Sequence, residues 1–385
     1  MTKARMALVL TSFAWVACVE QPAAPISESE IRASIYGEIG PGSSYEILVP
    51  PEWNGSLGLY AHGYVDPAGV DPLTPFERAL LPALPAMGYA VAYSTFSENG
   101  LAVKDGMQRT KQLRGIFAAQ VGEPQRTYLV GGSMGGLIAL GLSERFPQHY
   151  DGVLALCGLV GGSQAQIDYV GHLRVLFDVF YPGVLPGTLF ENPNLSPLEV
   201  AALVMPAIAG DPTGAGLLAN VMAMTFETPI PGGADPALLA ESIVTALAFD
   251  VRGFADVLDR THGHVPFDNS DVWYAGTPDD AALNFAVDRY ESRPDAARYL
   301  RKYYEPTGHL GTPVVTLHNQ MDPVAPILHE ARLGVNVASA GASEWLVQTE
   351  AAAPYGHCAF DEQEVLGKFG SLVAWVELGI PPMTP

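Results

Sequence analysis

Tyr128-Leu129-Val130-Gly131-Gly132-Ser133-Met134-Gly135-Gly136-Leu137-Ile138-Ala139-Leu140 is the stretch that decides how the rest of this chain is read. An apolar, β-rich run stops at Gly-x-Ser-x-Gly and passes at once into helical spacing. That pattern predicts a strand, a sharp turn and a helix, the arrangement of a nucleophile elbow. Ser133 is the candidate nucleophile. Gly131 and Gly135 flank a serine held in a strained backbone conformation, where side chains would collide as strand and helix pack closely. The helix after the turn points its N-terminus at the serine, so its free N–H groups favour a developing oxyanion.

Working outward, the segments on either side alternate between strand and helix. Ser44 to Val49 alternates polar and apolar residues and stops at Pro50-Pro51, as a partly exposed strand does. Leu57 to Ala61 reads as a strand leading into the small-residue loop His62-Gly63-Tyr64. Pro75 to Met87 has helical spacing, Tyr89 to Ser94 is strand-like, and Val103 to Val121 is a helix ended by Gly122 and Pro124. Gly152 to Cys157 is a continuous apolar run of the kind buried on both faces of a sheet. Strands alternating with helices predict an α/β protein with a mostly parallel sheet and flanking helices.

From about Gly161 to Gly311 the rhythm changes to amphipathic segments between Pro/Gly clusters, among them Ser196 to Ile208, Pro236 to Leu247 and Ala281 to Tyr290. This stretch reads as a large inserted helical lid. The sheet resumes at Pro313 to His318, with Asn319 to Pro323 as the loop that leaves it and Trp345 to Thr349 as the last strand. Tyr355-Gly356-His357-Cys358 is then a loop, and Asp361 to Leu378 a helix with Val365, Phe369, Leu372 and Val376 on one stripe. The expected organisation is a signal over 1–17, a first core part over 18–160, the lid over 161–310 and a second core part over 311–385.

Composition narrows the class of partner. With 41 acidic against 20 basic residues the formal net charge is −21, and a surface of that sign repels polyphosphates, so nucleic acid is not an expected partner. The N-terminus reads as an export signal, with Lys3 and Arg5 ahead of an apolar run from Met6 to Ala17. That run is too short for a permanent membrane span. Val16-Ala17-Cys18 resembles the end of a bacterial lipoprotein signal, which leaves two outcomes open: lipidation of Cys18 with membrane attachment, or ordinary cleavage nearby. Export, whether to the periplasm, the cell surface or the medium, places Cys157 and Cys358 in an oxidising compartment. They are then either a disulfide or two buried thiols.

Ser133, Asp322 and His357 follow one another in the serine, acid, histidine order of the nucleophile-elbow hydrolases, each on a loop after a strand. With these motifs the chain resembles the α/β-hydrolase superfamily over nearly everything outside the signal and lid. The resemblance implies a serine hydrolase without a cofactor, acting on small-molecule or polymeric carboxylic esters, with amide or peptide bonds as the alternative and a non-catalytic surface binding module as a remote one. His357 would be the base, Asp322 its orienting acid, and the backbone N–H groups of Met134 and Tyr64 the oxyanion donors. Asp361 lies too near His357 in sequence to be the natural acid. His62, Phe96 and Asn99 are placed to line a substrate pocket. No metal is expected, because His262 and His264 have no acidic or cysteine partner at ligand spacing.

A narrower likeness is to the lidded tannase and feruloyl esterase-like enzymes, which join a cysteine beside the catalytic serine to one beside the catalytic histidine. His357-Cys358 matches the histidine side. Gly132 stands where the other cysteine would be, so that bridge cannot form, and Cys157 is the substitute partner this resemblance suggests.

Overall fold

The computed structural model describes residues 33–67, 69–191 and 195–383; the signal over 1–17 and Cys18 lie outside the described residues. Eight strands form one sheet: β1 (Ala33–Glu38), β2 (Ser44–Val49), β3 (Ser56–Ala61), β4 (Ala90–Ser94), β5 (Arg126–Gly132), β6 (Gly152–Leu156), β7 (Val314–His318) and β8 (Leu346–Glu350). Their order across the sheet is β1-β2-β4-β3-β5-β6-β7-β8. β1 and β2 pair antiparallel, β2 meets β4 antiparallel, and every pairing from β4 to β8 is parallel.

The strands between β4 and β7 are buried on both faces because helices cover both. Along β3, Leu57, Leu59 and Ala61 point to one core and Tyr60 to the other; along β5, Leu129 joins the first core and Tyr128 and Val130 the second. Alternate side chains thus feed two separate apolar layers, as the pleat dictates. α2 (Val103–Gln120) and α3 (Met134–Arg145) cover the first face. α1 (Pro75–Ala86), whose first turn is closed by a Thr74/Glu77 capping box, and α11 (Glu362–Leu378) cover the second. α10 (Leu328–Ser339) flanks β8.

Between β6 and β7 the chain is helical and holds no strand among the described residues: α4 (Ser163–Phe180), α5 (Pro197–Gly210), α6 (Pro212–Phe226), α7 (Pro236–Arg260), α8 (Asp280–Ala286) and α9 (Pro294–Tyr304). Three differences from the sequence reading have physical causes. α7 runs well past Leu247, held by Arg252 paired with Asp66 and by Arg260 bonded to Asp256 and Glu98, contacts with no local sequence signature. The helix expected over 281–290 stops at Ala286, because Val287 turns extended and Arg289 donates to the carbonyls of Asn269 and Val272. β1, not singled out in the sequence, is an edge strand whose residues alternate between half-buried and exposed.

Candidate active site

Ser133 sits between β5 and α3 with φ 53° and ψ −120°, a left-handed conformation rare for a side-chain-bearing residue. The neighbouring glycines make this turn sterically feasible. A Cβ on Gly131 would lie 2.1 Å from the Gly135 carbonyl oxygen, and one on Gly135 would lie 1.9 Å from the Ala61 carbonyl oxygen. Backbone bonds then fix the turn: Ser133 N–H donates to the Leu156 carbonyl at 2.8 Å, and Leu159 N–H to the Ser133 carbonyl at 3.2 Å.

The sheet brings the other two side chains to it. Met321 and Tyr355 form a parallel bridge just beyond the paired ends of β7 and β8, so Asp322 and His357 emerge side by side. His357 Nδ1 lies 2.7 Å from Asp322 Oδ2, and its Nε2 lies 2.9 Å from Ser133 Oγ. Asp322 is fully buried, and its Oδ1 accepts the backbone N–H groups of Val324 and Ala325 at 2.8 and 2.9 Å. Those bonds fix the carboxylate so that its other oxygen faces His357.

Strand order, elbow and the Ser133, Asp322, His357 sequence coincide in one architecture. This is the α/β-hydrolase fold. No protein-family model matches the chain, and no curated protein matches it. Solved structures with a similar arrangement include an esterase from Aspergillus oryzae (16% identity over 88% of this chain and 78% of that one, TM-score 0.46). Feruloyl esterase B from Aspergillus oryzae is similar at 14% identity over 91% and 80% of the two chains, TM-score 0.45. Brefeldin A esterase, a bacterial homologue of human hormone sensitive lipase, is similar at 14% identity over 93% and 79%, TM-score 0.43.

Within this hydrolase-type scaffold, Cys157 and Cys358 are joined by a disulfide, with Cα atoms 5.2 Å apart. Ser133, Cys157 and Cys358 all have positive φ, three of the six such non-glycine residues among the described residues. Local backbone strain is therefore concentrated at the site. Asn319, read in the sequence as an unremarked loop residue, pins the same region. Its Nδ2 donates to the carbonyls of Ala353 and Ala359 at 2.7 and 3.1 Å, and its Oδ1 accepts the Ala359 N–H at 3.1 Å. The loop carrying His357 is thus tied on both sides. His318 is a packed residue, buried between Glu330 Oε1 at 3.2 Å and the Ala325 carbonyl at 2.7 Å.

Two cavities meet at Ser133. The first, narrow at about 60 Å³ and almost wholly apolar, is lined chiefly by helical-insertion side chains such as Ile167, Val170, Phe254 and Val257. The second, about 390 Å³, runs past His357 and Cys358 to Phe76, Glu77 and Phe360. Tyr64 and Phe249 line both. Met134 opens α3 directly after Ser133, and the residue before Tyr64 also abuts the serine, since a Cβ on Gly63 would lie 3.4 Å from Ser133 Cβ.

His62, Phe96 and Asn99 do not form the expected substrate pocket, because none of the three lines either cavity at Ser133. His62 is buried and stacks on Phe96 with ring centroids 3.8 Å apart; burial lowers its pKa, so it sits neutral in the core. Asn99 instead donates to the Gly69 carbonyl at 2.8 Å and, with Phe96, faces a separate polar cavity. Among lining residues the sequence reading passed over, Glu77 carried one usable signal: Thr74-x-x-Glu77 with Pro75 is a capping box. Phe249 carried none, as it lies two residues past the expected end of its helix.

Proposed function

We propose that this chain is a serine hydrolase that cleaves carboxylic esters through an acyl-enzyme on Ser133. One observation carries the reading: the continuous hydrogen-bonded chain from Ser133 Oγ through His357 to the buried Asp322. A serine hydroxyl is a poor nucleophile until a base takes its proton during attack. His357 Nε2 is placed to accept that proton, and Asp322 to fix the imidazole tautomer and stabilise the imidazolium. The same proton then passes to the leaving alcohol as the acyl–oxygen bond breaks. Water repeats the sequence against the acyl-enzyme, releasing the acid and restoring Ser133. The backbone N–H groups of Met134 and Tyr64 are the proposed oxyanion donors.

Neighbouring structures named as esterases are in keeping with this reading. Feruloyl esterase B acts on feruloyl esters by its name, and the aromatic lining of the wider cavity supports a bulky or aromatic substrate here as well. The helical insertion would then serve as a lid that excludes water. The Cys157–Cys358 bridge supports export to an oxidising compartment.

Ser133→Ala tests the reading. It is expected to abolish turnover of p-nitrophenyl esters and labelling by a fluorophosphonate, with circular dichroism and thermal midpoint unchanged. Retained turnover in a folded Ser133→Ala protein rules the proposal out.

A further inference from the structure

The wider cavity at Ser133 combines two features. Tyr60, Tyr64, Phe76, Phe249 and Phe360 give it five aromatic side chains, and Glu77 gives it one carboxylate. Glu77 is buried, 7% exposed, next to the nucleophile: a Cβ on Gly132 would lie 3.1 Å from the Tyr60 hydroxyl and 3.9 Å from Glu77 Oε1.

The partners of this carboxylate are all neutral. Tyr60 donates its hydroxyl to Glu77 Oε1, and the Thr74 N–H donates to Oε2 at 2.6 Å. Burial, reinforced by the nearby carboxylate, holds the Tyr60 pKa well above its usual value, so its proton stays on the phenol. His62 is kept neutral by burial. Among the described residues no lysine, arginine or histidine forms an ion pair with Glu77. Glu77 thus has hydrogen-bond donors on both oxygens but no counter-charge, the place a cationic group of a ligand would fill. Aromatic side chains line the same cavity, and aromatic rings favour a weakly hydrated cation over a strongly hydrated one, because the ring quadrupole attracts charge that has already lost its water.

We propose that this cavity recognises a quaternary ammonium group on the alcohol part of the ester, with Glu77 as the counter-ion and the aromatic side chains as its walls. The inference rests on the hydrolase reading and adds the substrate class. The narrow apolar cavity that also reaches Ser133 would take a short acyl chain. A net charge of −21 favours the encounter with a cationic substrate.

The test compares two isosteric acetate esters, 2-(trimethylammonio)ethyl and 3,3-dimethylbutyl, which differ in one nitrogen and its charge. The full-length enzyme is expected to favour the cationic ester in kcat/KM by about tenfold or more, and Glu77→Gln to bring that ratio close to unity. Because Glu77→Gln could fail to fold, a second measurement uses the unaltered enzyme. Tetramethylammonium should slow fluorophosphonate labelling of Ser133, and tert-butanol at the same concentration should not. A wild-type ratio near unity, a ratio that survives in Glu77→Gln, or equal protection by the two additives overturns the proposal. If the neutral ester is still hydrolysed, the hydrolase reading stands. Absence of both turnover and labelling overturns the two together.

Discussion

Cys157, at the exit of β6, is bonded to Cys358, the residue immediately after His357, although 201 positions separate them in sequence. The bridge closes over the whole helical insertion and anchors the loop carrying His357 to β6, the strand beside the one that leads into Ser133. Reduction should therefore affect both stability and turnover. Loss of the cross-link by Cys157→Ser with Cys358→Ser is expected to lower unfolding free energy by about 2–5 kcal/mol. Activity at 25 °C should fall as well, since His357 loses one of its two anchors. Denaturant midpoints and ester turnover, each with and without dithiothreitol, check this; unaltered midpoints in the reduced protein rule it out.

The second anchor is Asn319, whose amide bonds the carbonyls of Ala353 and Ala359 on opposite sides of His357. It touches none of the reacting atoms and acts through the position of the imidazole. Asn319→Leu preserves bulk but removes three hydrogen bonds from a buried site. A displacement of about 1 Å in a catalytic group costs on the order of 10²-fold, so kcat should fall by about that factor with KM little changed. Asn319→Asp keeps the Oδ1 that accepts from Ala359 N–H but turns a second oxygen toward the carbonyls of Ala353 and Ala359, so it should lose at least as much as Asn319→Leu. An Asn319→Leu protein with unchanged kcat rules the anchoring role out.

Gly135 tests the steric account of the elbow. Its α-carbon hydrogen occupies the place where a methyl group would overlap the Ala61 carbonyl oxygen at 1.9 Å, a contact with backbone that no rotamer can relieve. Gly135→Ala must push α3 away from β3, at a cost near or above the upper end of the ~1–3 kcal/mol typical of overpacking. Soluble yield and thermal midpoint report it. A Gly135→Ala protein as stable as the parent shows that the helix does not need this close approach.

The elbow, the loops that bring Ser133, Asp322 and His357 together and most core elements could be read from the sequence because each is written locally. Gly131-x-Ser133-x-Gly135 is a five-residue steric requirement, and the strands around it are continuous apolar runs that end at glycine or proline. Glu77 and Phe249 could not be assigned to the site in this way. Each reaches the cavity at Ser133 through tertiary placement: Glu77 in the first turn of α1, which packs on the second face of the sheet, and Phe249 on the far half of α7, which long-range pairs such as Arg252 with Asp66 hold in place. α4 lacks a helical signature for a different reason. It is buried along most of its length, from Ala165 to Phe177, and a helix surrounded by protein has no polar face to reveal its period. Phe96 and His62 read as pocket residues because a loop near a strand end resembles a pocket wall, whereas their stacked rings fill the core.

His172 links that buried α4 to the acid stability of the insertion. Its ring stacks on Phe226 at 4.0 Å, and its Nδ1 lies 2.9 Å from the Tyr274 hydroxyl. Burial, with the positive charges of Arg289 and Arg332 adding to it, lowers its pKa to about 3. In the unfolded chain the same group titrates near its ordinary value of about 6.5. Above pH 6.5 both states are neutral and the histidine contributes no pH dependence. Below it the unfolded chain takes up a proton that the folded one refuses, so stability falls steadily until the pH approaches 3. His172→Gln removes this term. Its own cost at pH 7, from lost stacking, should therefore shrink relative to wild type as the solution is acidified, by about 3 kcal/mol at pH 4. Urea unfolding of both proteins from pH 7 to pH 4 measures the gap between them. A gap constant across that range would mean that His172 takes up its proton as readily in the folded protein as in the unfolded chain, and would overturn the prediction.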